Sequence, residues 1–176
     1  MGSRVEMKNR IIVVIIFTLG LHLAKLSGAV SQSEGNSRKA APVFSLTDAS
    51  GALVRLSDYK GKVVLLNFWA TWCHGCKTEI PWYIDFQKKF KALGFTVVGA
   101  SMDDGGWKVV KPFVKERKLN YPVVIASENL AKQYGLGEMP LSVLIDRDGR
   151  IADSHSGVVD RNAWESEIQR LLNERR

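Results

Sequence analysis

Residues 63–76 read Val-Val-Leu-Leu-Asn-Phe-Trp-Ala-Thr-Trp-Cys-His-Gly-Cys, and Cys73 and Cys76 are the only cysteines among 176 residues. The apolar run 63–68 leads into the pair and suits a strand buried on both faces. A helix-forming stretch leads out. That places the first sulfur at a helix N-terminus, where free backbone N–H groups and the macrodipole favour a thiolate. A thiol that ordinarily ionises near pH ~8.5 is pulled down in such a setting and becomes a nucleophile. The second sulfur, one helical turn later, is near enough to close an intramolecular disulfide. Two cysteines cannot staple a small core, so the pair reads as a dithiol–disulfide exchange site.

Working outward, residues 43–47 and 52–56 alternate around Asp48-Ala49-Ser50-Gly51 and predict a hairpin. Residues 57–61 predict one helical turn closed by glycine. Downstream of the pair, Ile80, Tyr83, Phe86, Phe90 and Leu93 recur at helical spacing up to Gly94. Pro81 falls inside that stretch and predicts a kink. Residues 95–101 predict a second buried strand. Asp103 and Asp104 are placed to cap a helix over 107–118. A strand over 121–126 and a short helix over 128–134 follow. Residues 141–145 and 150–154 form a further hairpin around Asp146-Arg147-Asp148-Gly149. A last helix over 161–173 turns Trp164, Ile168, Leu171 and Leu172 inward. This order predicts an α/β protein with a central mixed sheet flanked by helices.

The first 29 residues read as an address. A basic start is followed by the apolar run 11–23 and by the small residues Ser27, Gly28 and Ala29, the order of a secretory signal. An uncleaved anchor is the alternative: a span of about 20 residues would have to include His22 and Lys25, and Lys25 can snorkel. Residues 30–41 are small and polar and suit a flexible linker, which leaves 42–176 as the folded domain. The formal charge of +7 includes +3 from residues 1–29. The remaining bases are dispersed, with Lys88, Lys89 and Lys91 the densest group, as on the wet face of an amphipathic helix. No nucleic-acid partner is expected.

Residues 41–76 closely follow the pattern APxFxLxDxxGxxVxLSDxKGKVVLLNFWATWCxxC, and Gly135 to Ile151 read GLGEMPLSVLIDRDGRI. In these motifs the chain resembles the thioredoxin superfamily, and more narrowly its TlpA/ResA-like extracytoplasmic members, a redoxin or AhpC/TSA-like domain. The resemblance implies the thioredoxin fold with an N-terminal β-hairpin and a helix–strand insertion. It implies a monomeric protein-disulfide reductase of the periplasm, secreted or tethered, acting on thiols and disulfides of exported proteins, apocytochrome c among them. A membrane electron donor would re-reduce it. No cofactor or metal is expected.

By position, the resemblance makes Cys73 the exposed attacking thiolate and Cys76 the buried resolving thiol. It makes Pro140 a cis-proline facing the disulfide, with the Met139 backbone pairing with substrate, and sets Trp72 beside the sulfurs to shape the substrate surface. Asn67 stands where plain thioredoxin has a buried aspartate, and an amide cannot take a proton. Glu79 matches a carboxylate that lies near the cysteines in ResA-like members. It would deprotonate Cys76 or raise the thiol pKa values, or simply favour the first helical turn. His74, when protonated, would stabilise the neighbouring thiolate and make the disulfide more oxidising, and Gly75 would loosen the turn where many members carry proline.

Two rivals remain. A thiol peroxidase would want a threonine three positions before its cysteine, where this chain has Ala70. A copper carrier would use both cysteines with a distant histidine such as His155, but with cysteines one residue further apart, and zinc would want four ligands.

Overall fold

The computed structural model describes residues 38–174. The expected leader lies outside the described residues. The apolar run becomes the central strand β3 (Val63–Trp69), every residue of which is buried. It pairs in parallel with β4 (Phe95–Ser101), which pairs in parallel with β5 (Val123–Ile125). On its other side β3 pairs antiparallel with β6 (Leu141–Ile145), and β6 with β7 (Ile151–Ser156). The mixed sheet therefore runs β5-β4-β3-β6-β7, and β1 (Ser45–Thr47) and β2 (Leu53–Arg55) form a separate hairpin.

Side-chain alternation along β3 builds a core on each face. Val63, Leu65 and Trp69 pack with Ile80, Tyr83, Phe86 and Phe90 of α1 (His74–Phe90) and with Trp164, Ile168 and Leu171 of α4 (Arg161–Asn173). Val110 of α2 (Trp107–Arg117) joins this layer. Val64, Leu66 and Phe68 face the other way, against Leu130 and Ala131 of α3 (Glu128–Gln133) and against Val54 and Leu56 of the hairpin region. Helix α1 continues through Pro81 as one element, although that proline has no N–H to donate back to Lys77. A 3-10 turn over Lys91–Leu93 follows, and Gly94 closes it at φ 89°, a conformation that favours glycine.

Residues 38–41, assigned to the linker by sequence, are packed. Ala41 N–H donates to Gly149 C=O at 2.9 Å, and Lys39 C=O accepts from Ile151 N–H at 2.8 Å. Arg38 bonds Asp146 at 3.1 Å and Glu174 at 2.8 Å. The charged arginine and two small alanines, polar in composition, serve as an extra edge segment against the β6–β7 turn.

Leu65 is fully buried between α1 and the sheet. Leu65→Ala is expected to cost about 2–5 kcal/mol in denaturant unfolding of the oxidised domain, and a loss below about 1 kcal/mol would contradict the packing described.

Candidate active site

Strand β3 hands the chain to α1 through Ala70-Thr71-Trp72, and this connector is held from the neighbouring strand. The buried Asp103 carboxylate, just past β4, accepts from the Thr71 backbone N–H at 3.0 Å and from its hydroxyl at 2.6 Å. It also accepts from the Ser101 hydroxyl at 2.9 Å. Asp103 is therefore not the cap of the next helix. That helix begins behind Gly106, which has no side chain to cap it, and the Asp103 carboxylate is turned back onto the redox connector.

Cys73 sits at the N-cap of α1 in extended backbone, and its Sγ accepts the Cys76 N–H at 3.2 Å. A disulfide joins Cys73 to Cys76, with Cα atoms 5.3 Å apart. The expected exposed sulfur needs correcting for this oxidised form: Cys73, bonded to the wholly enclosed Cys76 (0 %), keeps only 6 % of its surface. What access there is belongs to Cys73.

The Met139–Pro140 peptide is cis. Pro140 is buried, and its Cδ lies 3.2 Å from where a Cβ on Gly75 would stand, so the proline rests directly on the first turn of α1. Met139 is partly buried against the same core. Trp72, 66 % exposed, projects to solvent and not into the core. His74 is exposed at the first helical position. Gly75 is less a loosened spacer than a notch. A Cβ there would meet Val158 Cγ2 at 2.9 Å.

Glu79, three residues beyond Cys76 on α1, is wholly buried. Its Oε1 accepts the Val159 backbone N–H at 2.8 Å, and its Oε2 has no hydrogen-bond partner among the described residues. Burial pushes its pKa up to about 7; the Val159 N–H and the Tyr83 hydroxyl oppose that rise. The Tyr83 hydroxyl lies 2.7 Å from Ser142 Oγ, which accepts from Asn67 Nδ2 at 3.1 Å. Burial, and then the Glu79 charge, hold the Tyr83 pKa well above its ordinary value. Behind the disulfide therefore lies a buried carboxyl that changes charge near neutrality, beside a phenol that stays protonated.

Among the described residues no three His, Cys, Asp or Glu side chains are grouped to hold a metal. His155 is exposed on β7 opposite Ser142. The sequence reading missed Val159, which contributes only a backbone N–H and so leaves no side-chain signal. It misread Asp103, because an Asp before a helix has the signature of a cap whichever way it turns.

A cysteine pair at a helix N-terminus, with a cis-proline resting on the same turn beside a β5-β4-β3-β6-β7 sheet, defines a thioredoxin-fold disulfide oxidoreductase. Residues 38–154 match the model of the AhpC/TSA family. The chain is 33 % identical to the thiol-disulfide oxidoreductase ResA of Bacillus cereus over 92 % of its own length and 94 % of that protein. It is 34 % identical to ResA of Bacillus subtilis over 89 % and 87 %. It matches a structure described as a thiol:disulfide interchange protein DsbE of Chlorobium tepidum with a TM-score of 0.73 and 35 % identity, covering 77 % of this chain and 97 % of that one. The chain belongs to the AhpC/TSA family and, within it, to the ResA-like thiol–disulfide oxidoreductases. Protein thiols and disulfides are its substrates.

Glu79 makes stability depend on pH. Its folded pKa of about 7 lies above the ordinary value of 4.5, so the folded state binds the extra proton between those values. Its contribution is full below about pH 4.5 and falls as pH rises through 7, by on the order of 3 kcal/mol. Glu79→Gln keeps an acceptor for Val159 and should flatten that slope in denaturant midpoints measured across this window. Parallel profiles for the variant and the wild type would contradict the assignment.

Proposed function

We propose that Cys73 is the attacking thiolate and Cys76 the resolving thiol of a reductase acting on disulfides of exported proteins. The observation that carries this reading is the asymmetry of the pair: Cys73, at the helix N-terminus with the Cys76 N–H on its sulfur, alone retains accessible surface. A partial positive charge at that terminus stabilises Cys73–S⁻ more than Cys76–S⁻.

In the reaction Cys73–S⁻ attacks one sulfur of a substrate disulfide, breaks the S–S bond and expels the other sulfur as a thiolate. Cys76 then loses its proton and attacks Cys73 Sγ. The enzyme disulfide forms, and the second substrate sulfur leaves as a thiolate. Two electrons pass to the substrate. Glu79, on the face of α1 that carries Cys76 and ionising near neutral pH, is the proton acceptor in this scheme. His74, when protonated, adds a positive charge beside the nucleophile. Met139 and Pro140 form the wall along which an extended substrate segment lies, and Trp72 is its apolar neighbour.

Residues 1–29 deliver the domain across a membrane as a signal or an anchor. The domain works on the outer side, in a periplasm or its equivalent, recharged by a membrane dithiol. Apocytochrome c is one substrate of the class proposed. Dithiols of this fold span about −270 to −120 mV, wide enough for either a reductant or an oxidant, and the family resemblance alone supports the reducing direction.

Catalysed insulin reduction is the test. Cys73→Ser should abolish it, and Cys76→Ser should accumulate a mixed disulfide through Cys73. Activity surviving in Cys73→Ser would overturn the assignment. Hydrogen peroxide consumption with dithiothreitol should stay at the uncatalysed rate, and turnover there would favour the peroxidase reading.

A further inference from the structure

Three consecutive residues after β7 touch three different parts of the redox centre. Gly157 N–H donates to Pro140 C=O at 2.8 Å, and Val159 N–H donates to Glu79 Oε1 at 2.8 Å. Between them, Val158 presses Cγ2 towards Gly75, 2.9 Å from the position a Cβ would take. Real Cβ atoms do not sit that close to another carbon, so the contact exists only because residue 75 is glycine. Val158 has little freedom to withdraw, since its two neighbours are bonded to the cis-proline segment and to the buried carboxylate.

Glycine in a first helical turn is conformationally loose and gives up more entropy on ordering than any other residue. Here that looseness falls between the two cysteines, where the Cys76 N–H must point at Cys73 Sγ. We infer that Val158 is a positioning residue for the exchange reaction: its side chain braces the Gly75 backbone from outside, and the two residues act as one complementary steric pair that holds the cysteine turn in thiolate-stabilising geometry. Val158 is 43 % exposed and is not enclosed as core side chains are. Its burial on this turn therefore contributes little to global stability.

The pair has a specific signature. Val158→Ala removes both γ-methyls, including the one that faces Gly75, and frees the turn. Gly75→Ala stiffens the turn but drives its new Cβ into Val158. Either change weakens the N–H contact that favours the reduced state. The double variant replaces the outer methyl by an inner one. Its remaining close neighbour is Pro140 Cδ at 3.2 Å, a tight contact that a shift of a few tenths of an ångström relieves.

This inference rests on the reading of Cys73–Cys76 as the exchanging pair, and equilibration of the full chain with glutathione tests the two separately. Each single variant should move the equilibrium towards the disulfide by about threefold, roughly 15 mV. The double variant should return to the wild-type value, and Val158→Thr, which keeps the branched shape and sets a hydroxyl of similar size against Gly75, should stay there. Single variants that match the wild type, or single effects that add in the double variant, overturn the inference alone. A wild-type pair that does not equilibrate with glutathione overturns the underlying reading and the inference with it. Unfolding midpoints of Val158→Ala and Val158→Thr should agree, which separates positioning from a merely structural role.

Discussion

The hydrogen bond from the Cys76 N–H to Cys73 Sγ, 3.2 Å long, is the contact around which the molecule is organised. It requires that a helix begin at Cys73 and nowhere else. Strand β3, buried on both faces, brings the chain to that point. Asp103 holds the connector by the backbone and side chain of Thr71, and Tyr83, Phe86 and Phe90 fix the roll of α1 against the sheet. Pro140 and Val158 then close over the bare backbone at Gly75. A sulfur in this position accepts a backbone N–H at a helix N-terminus, a setting that favours the thiolate form of a cysteine.

Beneath this turn the protein keeps a group that ordinary core packing would exclude. A buried carboxyl with one oxygen unpartnered among the described residues disfavours the folded state once ionised, and a same-shaped apolar side chain would be more stabilising. The fold limits the penalty in two ways. The Val159 N–H satisfies one oxygen, and burial raises the pKa so that the neutral acid persists to about pH 7. That carboxyl lies about one helical turn beyond Cys76 on α1, and Asn67, bonded to Ser142, offers only an amide, which cannot take a proton.

Much of the architecture was legible in the chain because its elements have strong local signals. The uninterrupted apolar runs at 63–68 and 95–101, the hairpin turn 146–149 and the helical repeat after Arg161 each specify their own conformation. The family motifs then located Pro140 and Glu79. What stayed hidden depends on contacts between distant segments. Nothing near Asp103 says that its carboxylate turns back to Thr71, thirty-two residues earlier in the chain. Gly75 looks like a flexible spacer until Val158 arrives from the far end of the sheet. Residues 38–41 look like a tether because their partners, Gly149 and Glu174, are more than a hundred positions away. The accessibility expected for Cys73 also depends on the packing around the turn, and in the disulfide form it keeps only 6 % of its surface.

The most direct test of the central claim is mass-spectrometric mapping of iodoacetamide alkylation on the reduced protein as pH is varied. The account predicts that Cys73 is modified far faster than Cys76 and that its rate profile has a midpoint well below the ordinary thiol value of about 8.5. Equal modification of both cysteines, with midpoints at that ordinary value, would contradict it.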